Sequence, residues 1–187
     1  MRSSSRGTRV SGSRSGLWWL PLLFRLERQG VDVGGRWGEL ADKAETRIGD
    51  CLSAFTLPHW MMALAATRRW DAAERMIEAM RVFADRGAGC VAPLVRDYSL
   101  PVVKAILARA RGEPAAACDL MRPALTGMHR LGGSHAQQDV LEQLFLDCAT
   151  KAKRADDVRA LLERVTRSYP VPPERRVAYQ GAMALVN

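Results

Sequence analysis

A chain of 187 residues, 48% of them hydrophobic, can build one domain with a real core, and an aromatic content of only 6% excludes a strand-rich class; abundant alanine, leucine, arginine and methionine favour helix because these side chains lose little rotamer freedom there. The net charge of +8 is uneven, with Arg2, Arg6, Arg9 and Arg14 supplying half of it from an acid-free leader and the other 24 basic residues set among 20 acids, the pattern of a solvated surface rather than a phosphate-binding stripe. Cys51, Cys90, Cys118 and Cys148 are scattered without a C-x-x-C pair and read as reduced thiols of a cytoplasmic protein.

The leader, Met1 to Gly16, is Ser/Arg/Gly-rich and cannot build a core, so it is expected to be disordered and residues 17–187 to form the helical domain. The run LWWLPLLF that follows mimics a signal peptide poorly, because Pro21 interrupts it and Arg25, Glu27 and Arg28 come at once; an organelle address shares the Arg/Ser-rich look of the leader. No segment approaches the roughly 18 apolar residues that span a bilayer.

Past Gly34-Gly35, the spacing of Trp37, Leu40, Ala41, Ala44, Ile48 and Leu52 predicts one amphipathic helix. Helices are expected next over 58–68 and over 71–86, the latter with Met76, Ile77, Met80 and Phe83 or Ala84 facing the core. Pro101 is expected to start or strongly kink a helix that stops at Gly112. A helix over 115–131, bent at Pro123, then helices over 136–152, 156–168 and 174–186 complete the series.

Three segments align on their turns: ATRRWDAAERMIEAM at 66–80, ARARGEPAAACDLM at 108–121 and ATKAKRADDVRALL at 149–162. With Ala73, Ala117 and Val158 as equivalents the spacings are 44 and 41 residues, longer than a strict tetratricopeptide repeat. Each hairpin leaves an apolar face that only a neighbour can bury, so the expected fold is all-α, a tetratricopeptide-like α-solenoid of stacked antiparallel helical hairpins.

The stretch HRLGGSHAQQDVLEQ at 129–143 holds two histidines and two acids. Gly132 or Gly133 suits a left-handed helix terminator, and Ser134 with Gln137 fits a capping box before Val140, Leu141, Leu144 and Cys148, so Gly132, Gly133, Ser134 and Gln137 read as a structural corner. No phosphate-loop pattern is present. At spacings of four and three, His135, Asp139 and Glu142 share one helical face, expected opposite the apolar stripe, where they bind a metal or pair a base with an orienting acid, or else form a polar face that packs on or hydrogen-bonds to the adjacent repeat. His59 reads as a partly buried histidine at a helix start, and His129 lies in a last helical turn where a cation meets the negative dipole end.

On FRLERQGVDVGGRW at 24–37, PHWMMALAA at 58–66, RGEPAAACDLM at 111–121 and above all HRLGGSHAQQDVLEQ at 129–143, the chain resembles the C-terminal portion of the tetratricopeptide repeat protein 38 family from Leu17 to Asn187. The resemblance implies an all-helical solenoid with no enzymatic activity to carry over, and a member shorter than its family at the N-terminal side. Gln138 stands where the family tends to have arginine, and Leu141 where it tends to have phenylalanine.

The expected function is a non-enzymatic scaffold whose groove presents His59, His135, Gln138, Asp139 and Glu142 to a protein or peptide, with no catalytic residue, metal or cofactor called for. A metal-dependent or acid/base enzyme using the His135, Asp139 and Glu142 face stands as one alternative. A nucleic-acid binder clustering Lys104, Arg109 and Arg111 with Lys151, Lys153 and Arg154 stands as another. The apolar run from Leu17 to Leu26 is expected to be sticky and to drive self-association.

Overall fold

The computed structural model describes residues 16–87 and 89–186, with side chains from Trp19 onward; Met1 to Ser15, nearly all of the leader expected to be disordered, lie outside the described residues, as do the side chains of Leu17 and Trp18. Helices run in the order α1 (Gly16–Arg28), α2 (Arg36–Glu45), α3 (Thr56–Ala66), α4 (Trp70–Arg86), α5 (Val91–Leu94), α6 (Leu100–Ala110), α7 (Pro114–Met121), α8 (His135–Lys151), α9 (Ala155–Ser168) and α10 (Val177–Met183), and no strand occurs among the described residues. The all-α class follows directly, and no helix among them is long and apolar enough to cross a membrane.

Three hairpins, α3/α4, α6/α7 and α8/α9, are built on one turn. Each first helix ends in a left-handed residue, Arg68 (φ 56), Gly112 (φ 83) and Lys153 (φ 56). The next N–H then reaches back five residues: Arg69 to the Leu64 carbonyl at 2.9 Å, Glu113 to Ala108 at 3.0 Å and Arg154 to Ala149 at 2.9 Å. This is the Schellman closure, which satisfies carbonyls that a helix end leaves without partners. The turns align at the same 44- and 41-residue offsets that equate Ala73, Ala117 and Val158. Basic residues at or beside the turns also tie successive hairpins together: Arg69 pairs with Asp42 and Glu45 on α2, Arg111 with Glu74 on α4, and Arg154 with Asp119 on α7.

The helices form layers of different sidedness. The first helices of the hairpins, α3, α6 and α8, are buried on nearly every side, including Leu57 to Ala65 in α3 and Asp139 to Leu146 in α8. Outer helices α4 and α9 bury one stripe each, Met76, Ile77 and Met80 in α4 and Val158, Leu161 and Val165 in α9. On the other side, α1 packs across α3 and α8, and α10 packs on α8. Leu20, Leu23 and Phe24 of α1 are buried, with the Arg109 guanidinium 5.2 Å from the Phe24 ring. The expectation that Leu17 to Leu26 is an exposed adhesive segment is therefore corrected in part. Its inner half belongs to the chain's own core, and among its described side chains Trp19 and Leu22 are the exposed hydrophobic ones.

Local departures have local causes. The α2 helix stops at Glu45 and turns through Gly49 (φ 97), which carries Leu52 out of the expected stripe to 77% exposure. Pro101 stands in the first turn of α6, which begins at Leu100, as the expectation of a helix start there has it. A π-helical turn, Val95–Ser99, joins α5 to α6 immediately before it, absorbing the missing N–H, and the Ser99 hydroxyl donates to the Ala54 carbonyl at 2.8 Å. Pro123 ends α7 rather than bending it, and the chain continues through two 3-10 turns, Arg122–Ala124 and Met128–Leu131. The expected helix over 174–186 is a 3-10 turn, Pro173–Arg175, followed by the short α10.

Candidate functional site

The corner has the expected chemistry. Gly132 (φ 86) and Gly133 (φ 85) are both left-handed, and Ser134 forms a capping box with Gln137, whose Oε1 accepts from the Ser134 N–H at 3.0 Å. Gln138 adds a contact of its own, its Nε2 donating to the carbonyls of Gly132 at 3.1 Å and Gly133 at 3.4 Å.

Beyond the corner, α8 carries Asp139 and Glu142 inward rather than outward. Asp139 is 7% exposed and Glu142 only 2%. Asp139 Oδ1 accepts from Arg176 and from the Tyr179 hydroxyl at 2.7 Å, while Oδ2 accepts from Arg25 at 3.1 Å and from Gln143 Nε2 at 2.6 Å. Arg25 also donates to the Ala136 carbonyl, and Arg28 to that of Gln143, so the end of α1 is bound to α8 by charge as well as by apolar packing. The Arg176 guanidinium lies 4.7 Å from the Tyr169 ring and 4.2 Å from the Tyr179 ring, which favours a cation over two aromatic faces. Burial, with Asp139 beside it, pushes the Tyr179 phenol well above its ordinary range.

Glu142 is satisfied on one side only. Its Oε1 pairs with Arg164 at 3.1 Å and its Oε2 has no hydrogen-bond partner. Burial raises its pKa, with Arg164 and the Tyr169 hydroxyl pulling the other way.

The residues of the expected groove thus separate. His135 is exposed at the start of α8, its ring edge-on to Tyr169 at 6.1 Å. Asp139 and Glu142 lie beneath it in the interior, so the expected solvent-facing trio does not form. Among the described residues no group of three His, Cys, Asp or Glu side chains is placed to hold a metal ion.

His59 lies fully inside α3, 4.6 Å from the Phe55 ring. Its Nδ1 stands 3.0 Å from the Phe55 carbonyl, which can only accept, so Nδ1 carries the proton and Nε2 is a buried lone pair without a partner. Burial pushes this imidazole down to about 4, against the pull of that hydrogen bond. The unfolded chain then binds the proton more tightly, so the stability is full above pH 6.5 and is lost as pH falls towards 4. At pH 4.5 the loss is about 2–3 kcal/mol. Urea melts at pH 7 and 4.5 are expected to show a smaller drop in His59→Leu than in the native chain by this amount; equal drops would refute it.

Four of the six cations proposed for a nucleic-acid face are engaged elsewhere, while no ion pair of Lys104 or Lys153 is found among the described residues. Arg109 and Lys151 both pair with Asp147, Arg111 with Glu74 and Arg154 with Asp119. Those pairs hold the Asp147 carboxyl below its usual range in spite of its burial. Cys51, Cys118 and Cys148 are buried and Cys90 is exposed, all as free thiols; burial pushes Cys118 up to about 11 and Cys148 up to about 12, so neither is a nucleophile near neutral pH.

Sequence reasoning named the acids of this network and missed Arg25, Arg164, Tyr169, Arg176 and Tyr179, which complete it from positions 22 to 114 residues away. The one available signal was the basic pair at the end of an apolar α1. No family model and no solved structure matches the chain.

Proposed function

We propose that the chain is a non-enzymatic, tetratricopeptide-like repeat scaffold that binds a protein partner. The observation that carries this reading is the triple recurrence of one hairpin turn with the same left-handed residue and the same five-residue closure. An array of hairpins each leaning on the next is the architecture of repeat scaffolds, which offer extended surfaces rather than an enclosed reaction centre. The resemblance to the tetratricopeptide repeat protein 38 family supports the same reading. Interior placement of Asp139 and Glu142 beneath an exposed His135 disfavours an acid/base centre on that face. Pairing of Arg109, Arg111, Lys151 and Arg154 with acids disfavours a nucleic-acid stripe.

The test is capture from native cell extract at moderate salt on the immobilised chain, with and without nuclease. The expected result is a protein that rebinds in purified form at fixed stoichiometry. Retention of nucleic acid alone, lost on nuclease treatment, would overturn the reading.

A further inference from the structure

A cleft of about 270 Å³ lies between the first half of α8, the end of α9 and the turn before the corner, with His129, His135, Gln138, Glu142, Arg164 and Tyr169 in its walls. Its α8 wall offers acceptors. The Gln138 amide nitrogen is held by two glycine carbonyls, and a flip would set its oxygen against both of them, so Oε1 is the atom left free. One turn further along, Glu142 adds an Oε2 that has no partner although the side chain is only 2% exposed. A buried carboxylate oxygen without a donor is costly, and a donor brought into the cleft removes that cost.

Asp139 shows what this interior supplies to a carboxylate of similar depth: two guanidinium groups, a hydroxyl and an amide. Glu142 has one guanidinium, that of Arg164, with the Tyr169 hydroxyl beside the carboxyl. A second cation would make the two carboxylates alike. Its shape is limited by the single free oxygen, which suits a compact ammonium with three divergent N–H groups better than a planar guanidinium that needs both oxygens of a carboxylate. The rings of His135 and Tyr169, edge to face at 6.1 Å, furnish an aromatic flank for a cation.

We propose that this cleft binds a primary ammonium group, which donates to Glu142 Oε2 and Gln138 Oε1 beside the His135 and Tyr169 rings. The proposal rests on the scaffold reading, in which the ammonium is a lysine side chain or the amino terminus of the partner protein.

The test uses three small probes on the whole chain: Nα-acetyl-lysine methylamide for the side chain, alaninamide for the terminus, and the Nε-acetylated form of the first as control. NMR signals of the His129 and His135 rings report binding. Saturable shifts with at least one ammonium probe are expected, none with the acetylated control, and at least tenfold weaker binding in Glu142→Gln at a temperature where the variant is folded. The probe that saturates identifies the source of the group. No saturable shift with either ammonium, or equal binding of the acetylated control, would overturn the proposal; should Glu142→Gln not fold, the control on the native chain decides alone. Because the probes need no partner, their failure leaves the capture experiment standing, and failure of that experiment leaves a cleft that binds amines.

Discussion

Replacing Asp139 with alanine is expected to destabilise the chain by about 3–5 kcal/mol, the range for removing one member of a buried ion network. Four donors converge on this carboxylate, and two of them are guanidinium groups that the change leaves without their counter-charge. Arg176 fares worst, since its Nη1 is already buried without a partner. The Asp139→Asn variant keeps an acceptor for Tyr179 and should lose less. For a chain of this size the alanine variant should melt roughly 6–20 °C lower. Urea melts of both variants measure the difference, and a loss under about 1 kcal/mol for alanine would mean that water reaches the network and screens it.

At the corner, Gly133→Ala is expected to cost about 2–5 kcal/mol and Gly132→Ala about 1–3 kcal/mol. Both residues have positive φ, and Gly132, at φ 86 and ψ -157, sits in a region that essentially only glycine occupies, so an alanine there carries backbone strain of about 1–3 kcal/mol. A Cβ on Gly132 meets nothing, whereas one on Gly133 overlaps the Phe55 ring, adding an overpacking cost of about 1–3 kcal/mol. Shortening the ring in a Phe55→Leu background should bring the two glycine variants closer together. Equal losses in the native background would show that the ring swings aside without cost.

Periodicity exposed the outer helices well because each is wetted on one side. Met76, Ile77 and Met80 on α4 lie on the stripe that their spacing defines. On α8 the same logic inverted the assignment. Asp139 and Glu142 look like a solvent face when only the α8 sequence is considered, since the residues that neutralise them come from α1, α9 and the α10 region. A helix wrapped on all sides has no wet face for a carboxylate to report, and its polar residues are explained only by partners far along the chain. The corner was legible for the opposite reason: Gly132, Gly133, Ser134 and Gln137 act within six residues of one another, and local sequence dictates local geometry. Which of the two glycines is sterically irreplaceable was not legible, because the ring of Phe55 that decides it lies 78 residues upstream.

The attachment of α1 imposes an order on synthesis. Arg25 and Arg28 dock on groups between Ala136 and Ala178, separations of 111 to 150 residues. At roughly 5–20 residues per second, a ribosome needs on the order of 10 s to deliver the seat for a helix it has already made. Through that interval α1 has α3 to pack on but not α8. The hairpins in between can close by local contacts meanwhile, and the contact of α1 with α8 is the long-range one, with the larger loop to close.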